Sequence, residues 1–462
     1  MSGEASGAGP RIGLWGVFDV DDPGQIAARV AVEAELGRLL PGAEVVVRAP
    51  LGELHPLALD GGRPALPLAG ADPDPAEADA VIVCGGEIGL APGHLRRLYG
   101  AGAGSGAAAG MERLLRGPGG ATPLIWAGVS LAGGAAQALA LGPPATRLAA
   151  ALDAATAALI GGDHGPGEVV AHPALLLARH LDAGSQERRR RFLRALGWLP
   201  PDGPTVVVAG HAGLLDVPEA LGGALAAASR EAGCTVVVVE SGDRDGQAFA
   251  DAVAAAAGDG CRRLPAGASL DDLAAAVGAA TACLAGSAGI AALAAGQGVP
   301  VLGLGVDPVL AATLSAVGAP AAPLHDGLAE AVAAACSGAA PAPAAEPARA
   351  RLISLLEAAA AAAVEAAAAR GPVADADPAA QLEALEGSLR ARGRRLLEDR
   401  AEYLRRLADH DEEVRGLRAE VAVLQAELER TRATLATVLG SRTWKLTEPM
   451  REVAERIRRR QR

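Results

Sequence analysis

Small residues able to approach or hold a ligand stand where apolar runs hand over to helices. Thr281 to Gly305 reads as a short buried strand, a Gly-Ser turn, an Ala-rich helix, the turn Gly298-Val299-Pro300 and a second buried strand. Gly286, Ser287, Ala288 and Gly289 fall at the first handover, where helix-start amides are open to an anionic ligand. The same residues also suit any tight strand-to-helix turn. Gly85-Gly86-Glu87 closes the apolar run Ala80 to Cys84, and two glycines there bring backbone close to a ligand at the carboxyl end of a parallel sheet. Asp19, Asp21 and Asp22 beside Gly24 could hold a metal-bound phosphate or a sugar hydroxyl, or simply serve as turn and N-cap residues. His211 follows the apolar run Thr205 to Ala209 and faces either a cleft or solvent.

The elements that must carry these residues alternate strand and helix. Arg11 to Phe18, a helix over Gln25 to Leu40 and a strand over Glu44 to Arg48 make one β-α-β unit. Ala80 to Cys84 and Pro123 to Val129 are further strands, and the glycine-rich run Gly100 to Gly110 between them is expected to be a mobile loop. Gly161 to Asp182 is expected to be an interdomain hinge. A second set follows: strand Thr205 to Ala209, helix Glu219 to Ala232, strand Thr235 to Glu240, helices near Gln247 to Ala257 and over Leu270 to Gly278. Such alternation implies parallel sheets covered on both faces. The fold class is therefore α/β, with two Rossmann-like domains and a long C-terminal helical extension.

Composition narrows the function. A charge of -12 argues against a general nucleic-acid binder, so any basic site must be local. Lys445 is the sole lysine, and aromatic residues make up 2% of the chain, so the core must be built of Ala, Val, Leu and Ile. The five cysteines, Cys84, Cys234, Cys261, Cys283 and Cys336, show neither CxxC nor Cys/His ligand spacing, which points away from zinc and disulfides and toward a reducing cytosol. No basic-then-apolar leader precedes the first strand, and Met1 to Pro10 is expected to be disordered. These features imply a cytoplasmic protein, with contact at the inner membrane face left open.

The order of pieces resembles the polysaccharide pyruvyl transferase family over about Arg11 to Ala335. Gly16 to Leu36 is similar to the family's G-x-F-x-x-x-N-F-G-D turn and helix, and Ala78 to Ile88 to its A-D-x-V-I-x-G-G-G-D segment. Ala171-His172-Pro173-Ala174-Leu175 resembles its P-D-P-A-L segment, Gly242-Asp243 falls at its acidic turn, and Ser287 through Pro300 is similar to its S-x-H-G helix running into G-V-P. The resemblance implies a glycosyltransferase-B-like pair of domains that moves a pyruvyl group from phosphoenolpyruvate to a sugar, without a cofactor or metal. It implies substrate binding by Gly16, Asp22, Gly24, Gly85, Gly86, Glu87, His211, Asp243 and Ser287. The departures are Asp22 and Gln25 for the family's Asn and Asp, Glu87 for its Asp, and Gly289 for its histidine. Glycine can neither move a proton nor bind a carboxylate, so a centre depleted of its imidazole is expected. A non-catalytic relative, acting as a scaffold or binding module in glycan assembly, is the alternative.

The domain boundaries expected are 1–10 disordered, 11–165 and 166–340 for the two α/β domains, 341–379 for a linker and crossover helix, 380–439 for a coiled coil and 440–462 for a basic tail. Leu382, Leu389, Leu396, Tyr403, His410, Leu417, Leu424, Thr431 and Val438 keep a seven-residue period, joined from Leu407 by Val414, Val421, Leu428 and Leu435. That period imposes a left-handed supercoil and a partner, either a second copy or another protein, over a rod of about 85 Å. Gly440 to Thr447 (GSRTWKLT) is similar to an S-R-S-W-R-L-T-x-P tail of bacterial glycan-assembly proteins. Beyond it Leu446, Met450, Val453 and Ile457 form a stripe flanked by arginines, suited to an anionic membrane surface, an acidic partner or water.

Overall fold

The computed structural model describes residues 9–20, 22–52, 65–69, 78–99, 104–119, 122–132, 134–140, 146–161, 167–210, 214, 217–240, 244–265, 268–305, 307–322 and 327–370, with 386, 390, 430–433 and 437 beyond them. The chain forms two compact units, Met1–Arg392 and Gly393–Arg462, and both sheets lie in the first. The expected disordered start up to Ala8, the heptad seam and the basic tail lie outside the described residues, apart from those few positions.

The first sheet is built from β1 (Arg11–Trp15), β2 (Glu44–Ala49), β3 (Leu66–Pro67), β4 (Ala80–Cys84), β5 (Glu87–Ile88), β6 (Leu124–Leu131), β7 (Thr146–Ala151) and β8 (Glu168–Val169). Its order is β3-β2-β1-β4-β6-β7-β8, with β5 on β6, and every pairing is parallel. Between the strands run α1 (Pro23–Leu39), α2 (Pro92–Tyr99), α3 (Gly104–Arg116), α4 (Ala135–Ala140) and α5 (Ala154–Ile160). The second sheet comprises β9 (Thr205–Ala209), β10 (Thr235–Val239), β11 (Cys261–Leu264), β12 (Ala282–Ala285), β13 (Val301–Leu304) and β14 (Ala321–Ala322). Its order is β11-β10-β9-β12-β13-β14, again all parallel. Its helices are α6 (Ala183–Ala195) before it, then α7 (Pro218–Ala232), α8 (Arg244–Ala257), α9 (Leu270–Gly278), α10 (Ala288–Gly296), α11 (Pro308–Val317) and α12 (Leu328–Cys336). The two-sheet α/β architecture expected from the alternating pattern is present.

Several expectations need correction. The run expected as a mobile loop enters α3 at Gly104, because Ala107, Met111, Leu114 and Leu115 supply a buried stripe at helical spacing. Gly110 serves contact here: a Cβ on it would lie 2.4 Å from the Pro50 carbonyl oxygen. β8 pairs with β7, so the first sheet extends beyond residue 165. The expected hinge holds a 3-10 helix, Pro173–Arg179, whose residues Pro173 to Leu177 are all buried.

That buried segment explains how the two sheets are joined. The largest core cluster runs through both halves, from Ile12, Leu14 and Ala31 through Leu175 and Leu176 to Val207, Ala291 and Ala294. A large apolar interface of this kind resists hinge motion between lobes. α13 (Ala345–Arg370) then returns to pack on α1, β4 and β6. Its buried residues Ala345, Ala348, Leu352, Leu356, Ala359 and Ala363 recur every three or four positions, and the chain enters it through Pro347, in the first turn where proline costs no hydrogen bond. The span Ala345–Ala369 is long and apolar enough to cross a membrane by length and composition, and its apolar stripe is used within this core.

Candidate functional site

In each sheet the strand order reverses direction beside one strand pair. In the first sheet the chain runs outward from β1 to β2 and β3 and returns to β4 on the other side of β1; in the second, β9 and β12 stand in the same relation. Ligands of open parallel sheets bind outside the carboxyl ends of such pairs. Gly16 follows β1, Gly85 and Gly86 follow β4, and Gly286 and Ser287 follow β12, so these predicted residues sit at the two reversals. His211 and Asp243 lie outside the described residues.

The two reversals meet. A Cβ placed on Gly289, at the start of α10, would lie 2.4 Å from the Cα of Gly24 at the start of α1. The same Cβ would lie 3.4 Å from Cε1 of His172, the residue that caps the buried 3-10 helix. The expectation of a centre without an imidazole is therefore corrected: Gly289 carries none, but His172 brings one to the same place from the crossover. The reading of motif spacing missed it because its position depends on the 3-10 helix threading between α1 and α10.

The chemistry open to His172 follows from its surroundings. It is 3% exposed, and burial pushes its pKa down to about 4, so the ring is neutral near pH 7. Its Nδ1 accepts from the Ala174 amide at 3.3 Å. In a neutral ring that acceptor leaves the proton on Nε2. His172 is thus a neutral, buried ring with its proton on Nε2, and it is poorly suited to take up a proton.

Most of the remaining predicted residues serve the fold. Asp22 is the N-cap of α1, accepting from the amides of Gly24 at 2.7 Å and Gln25 at 3.3 Å. Ser287 caps α10 by accepting from the Ile290 amide at 3.4 Å. Asp19 is buried, accepting from the Tyr99 hydroxyl at 2.9 Å and the Leu51 amide at 2.6 Å. These carboxylates are engaged by the protein itself, as the turn and N-cap alternative has it; Asp21 lies outside the described residues. Glu87 is exposed and pairs with Arg97, with His94 Nδ1 at 3.8 Å. Gly16 is needed for space, since a Cβ there would lie 2.4 Å from the Cys84 carbonyl oxygen. Gly85 and Gly86 adopt φ of 66° and 86°, the left-handed region that favours glycine. The Gln25 side chain lies over this turn, with its Oε1 2.7 Å from where a Gly86 Cβ would be. That Oε1 is buried without a hydrogen-bond partner among the described residues, an acceptor suited to a ligand hydroxyl.

Two further ionic residues on α1 escaped the sequence reading. Arg29 is buried with its Nε 3.9 Å from Glu33, and burial lowers its pKa against the raising fields of Glu33 and Cys84. Glu35 is fully buried and reaches Arg38, Arg179 and His180. No group of three or more metal-ligating side chains occurs among the described residues.

No family model matches the chain, and no curated protein matches it. Solved structures similar to it include UDP-GlcNAc 2-epimerase from Neisseria meningitidis bound to UDP-GlcNAc, at 11% identity and a TM-score of 0.46, covering 72% of this chain and 95% of that one. MnaA of S. aureus, solved with UDP, shares 12% identity at a TM-score of 0.41, covering 73% of this chain and 92% of that one. MurG of Acinetobacter baumannii shares 14% identity at a TM-score of 0.33, covering 77% of this chain and 95% of that one. At these values nothing that their names describe transfers to this chain.

Proposed function

We propose that this chain is a two-lobed transferase of the glycosyltransferase-B type, acting in glycan synthesis and moving a pyruvyl group from phosphoenolpyruvate to a sugar. The observation that supports this reading is the imidazole of His172 beside the start of α10, between the two strand-order reversals. In this reading the donor's oxygens take the Nε2 hydrogen of His172 and the first amides of α10, and Gln25 Oε1 accepts from a sugar hydroxyl. The methylene carbon of phosphoenolpyruvate takes up the proton released by the first sugar hydroxyl, whose oxygen bonds to the neighbouring phosphate-bearing carbon. The oxygen of a second hydroxyl then displaces phosphate from that carbon, and its proton leaves with the phosphate. His172 orients an oxygen in this scheme and carries no proton.

A second reading is favoured by the contact of Gly24 with Gly289 and by the engaged caps Asp22 and Ser287: a non-catalytic relative that keeps the body as a binding module and works through the coiled coil expected from the heptad pattern. Calorimetric titration with phosphoenolpyruvate, with product detection on candidate acceptor sugars, separates the two. The transferase reading expects binding by the intact chain, weakened about tenfold in His172→Asn through loss of one donor. Binding without any pyruvylated product favours the second reading, and no binding at all discards the first.

A further inference from the structure

Among the described residues the large apolar side chains left exposed are Leu159, Phe192, Leu196 and Val364. Phe192 (48% exposed) and Leu196 (45%) are neighbours, four residues apart at the end of α6. Helical spacing puts Arg188 on the same face as Phe192, with Arg191 on the flank beside it, and both arginines are exposed. α6 carries five arginines, Arg188, Arg189, Arg190, Arg191 and Arg194, against the single acid Glu187, in a chain whose net charge is -12. This helix therefore carries an excess of positive charge, against the net sign of the chain.

The acids near it are largely accounted for. Glu187 lies 3.5 to 3.8 Å from Arg190, Arg191 and Arg194, and Asp272 pairs with Arg189 at 2.9 Å. Asp182 caps the helix start through the Ser185 amide at 2.6 Å. Arg189 also sits 5.7 Å above the Phe192 ring, which holds the ring in place from one side and leaves the other outward. Arg188 bonds to Ser185 Oγ at 2.7 Å and its charge also acts on the Asp182 carboxylate, so the five arginines of α6 face Asp182, Glu187 and Asp272 and keep an excess of positive charge.

We propose that this face of α6 docks on an anionic lipid surface, with Phe192 and Leu196 entering the headgroup layer and Arg188 and Arg191 meeting lipid phosphates. Charge complementarity selects an anionic occupant. The form selects lipid: two apolar tips on a convex helix suit a layer that closes around them, whereas a stable protein partner needs a far broader complementary surface, about 800 Å² per side. The neighbouring cavity of about 230 Å³ has Asp202 in its wall with Arg194, so it is not matched to a lone anion.

Flotation of the intact chain with vesicles of phosphatidylglycerol and phosphatidylcholine, against phosphatidylcholine alone, tests this. Binding is expected to the anionic vesicles only. Phe192→Ser/Leu196→Ser and, separately, Arg188→Glu/Arg191→Glu should each weaken it at least about tenfold, at roughly a tenfold change per 1.4 kcal/mol and about 1 kcal/mol per surface arginine. Leu159→Ser should leave it unchanged, and circular dichroism should show all variants folded. Equal binding to both vesicle types, or either double variant binding as the parent does, overturns the proposal; the latter would assign membrane contact to another part of the chain. Retention on polyglutamate with no vesicle binding would also overturn it, in favour of an acidic protein partner.

Discussion

Gly24 and Gly289 touch backbone to backbone at the N-termini of α1 and α10, so two helices from different sheets meet with no side chain between them. A Cβ on Gly24 would lie 2.8 Å from the Gly289 Cα, and one on Gly289 2.4 Å from the Gly24 Cα. Neither obstacle is a flexible side chain, so the helices themselves must separate. Gly289→Ala should destabilise the protein by about 1–3 kcal/mol through overpacking. Gly37→Ala, also on α1 but with open space around it, should be neutral or stabilising by up to about 1 kcal/mol. Urea unfolding of both variants checks the contrast, and equal effects would remove the packing argument. Gly289→His, which would restore the resemblance's imidazole, should be worse than alanine for the same reason.

Glu35 should govern part of the acid stability. Burial pushes its carboxyl upward, but the Arg38 hydrogen bond and the charges of Arg179, Arg38 and His180 outweigh this and hold it below its ordinary value. Its contribution is therefore complete above about pH 4.3, the unfolded value, and is lost as pH falls through the lower folded value. His180 Nε2 lies 3.0 Å from Glu35 Oε2, yet burial first, with Arg179 and Arg38, keeps that imidazole below its ordinary value despite Glu35. Stability should begin to fall when pH drops below about 6.5, where an unfolded histidine takes up its proton. Glu357 also faces this group and is felt by Arg38. Glu35→Gln should cost about 1–3 kcal/mol at neutral pH and flatten the profile below pH 4.3; an unchanged acid slope would exclude this role.

His172 should add a second acid-sensitive component. Its folded pKa of about 4 lies below the ordinary value near 6.5, so the unfolded chain binds the extra proton first. Stability present above about pH 6.5 is lost as pH falls toward 4, by about 3 kcal/mol in full. His172→Asn keeps a capping acceptor for the Ala174 amide and removes the titration, so its profile should be flatter over that window. Equilibrium unfolding at a series of pH values, compared with the parent, reads the difference.

Much of this is legible in the chain itself. Val- and Ile-rich runs ending in glycine mark β4 and β9 to the residue, and the Ser269-led start of α9 places Leu270 where the helix begins. α3 is not legible, because Gly104, Gly106 and Gly110 look like linker composition while Gly110 is in fact pressed against Pro50. Arg29 and Glu35 belong to no motif that would set them apart in the chain. A signal is present: Ile26, Ala27, Ala28, Ala31, Val32 and Leu36 point in all directions around α1, which is the pattern of a helix enclosed on every side. The position of His172 depends on how the crossover threads between α1 and α10, and no local pattern in the chain encodes that.

α13 should behave as part of the core of the body. Leu352 and Leu356 are each 1% exposed and belong to the cluster shared by both sheets, whereas Val364 on the same helix is 46% exposed. Leu352→Ala removes buried methyl groups and leaves a cavity, so it should cost about 2–5 kcal/mol. Val364→Ser should stay within about 0.5 kcal/mol of the parent, as surface substitutions do. The Arg147–Glu365 pair, at 3.0 Å but exposed on both sides, should contribute less than about 1 kcal/mol when Glu365 is changed to Gln. If α13 instead left the body to enter a bilayer, Leu352→Ala would barely move the unfolding midpoint in detergent-free buffer. Thermal unfolding of the three variants side by side decides between a core helix and a membrane-seeking one.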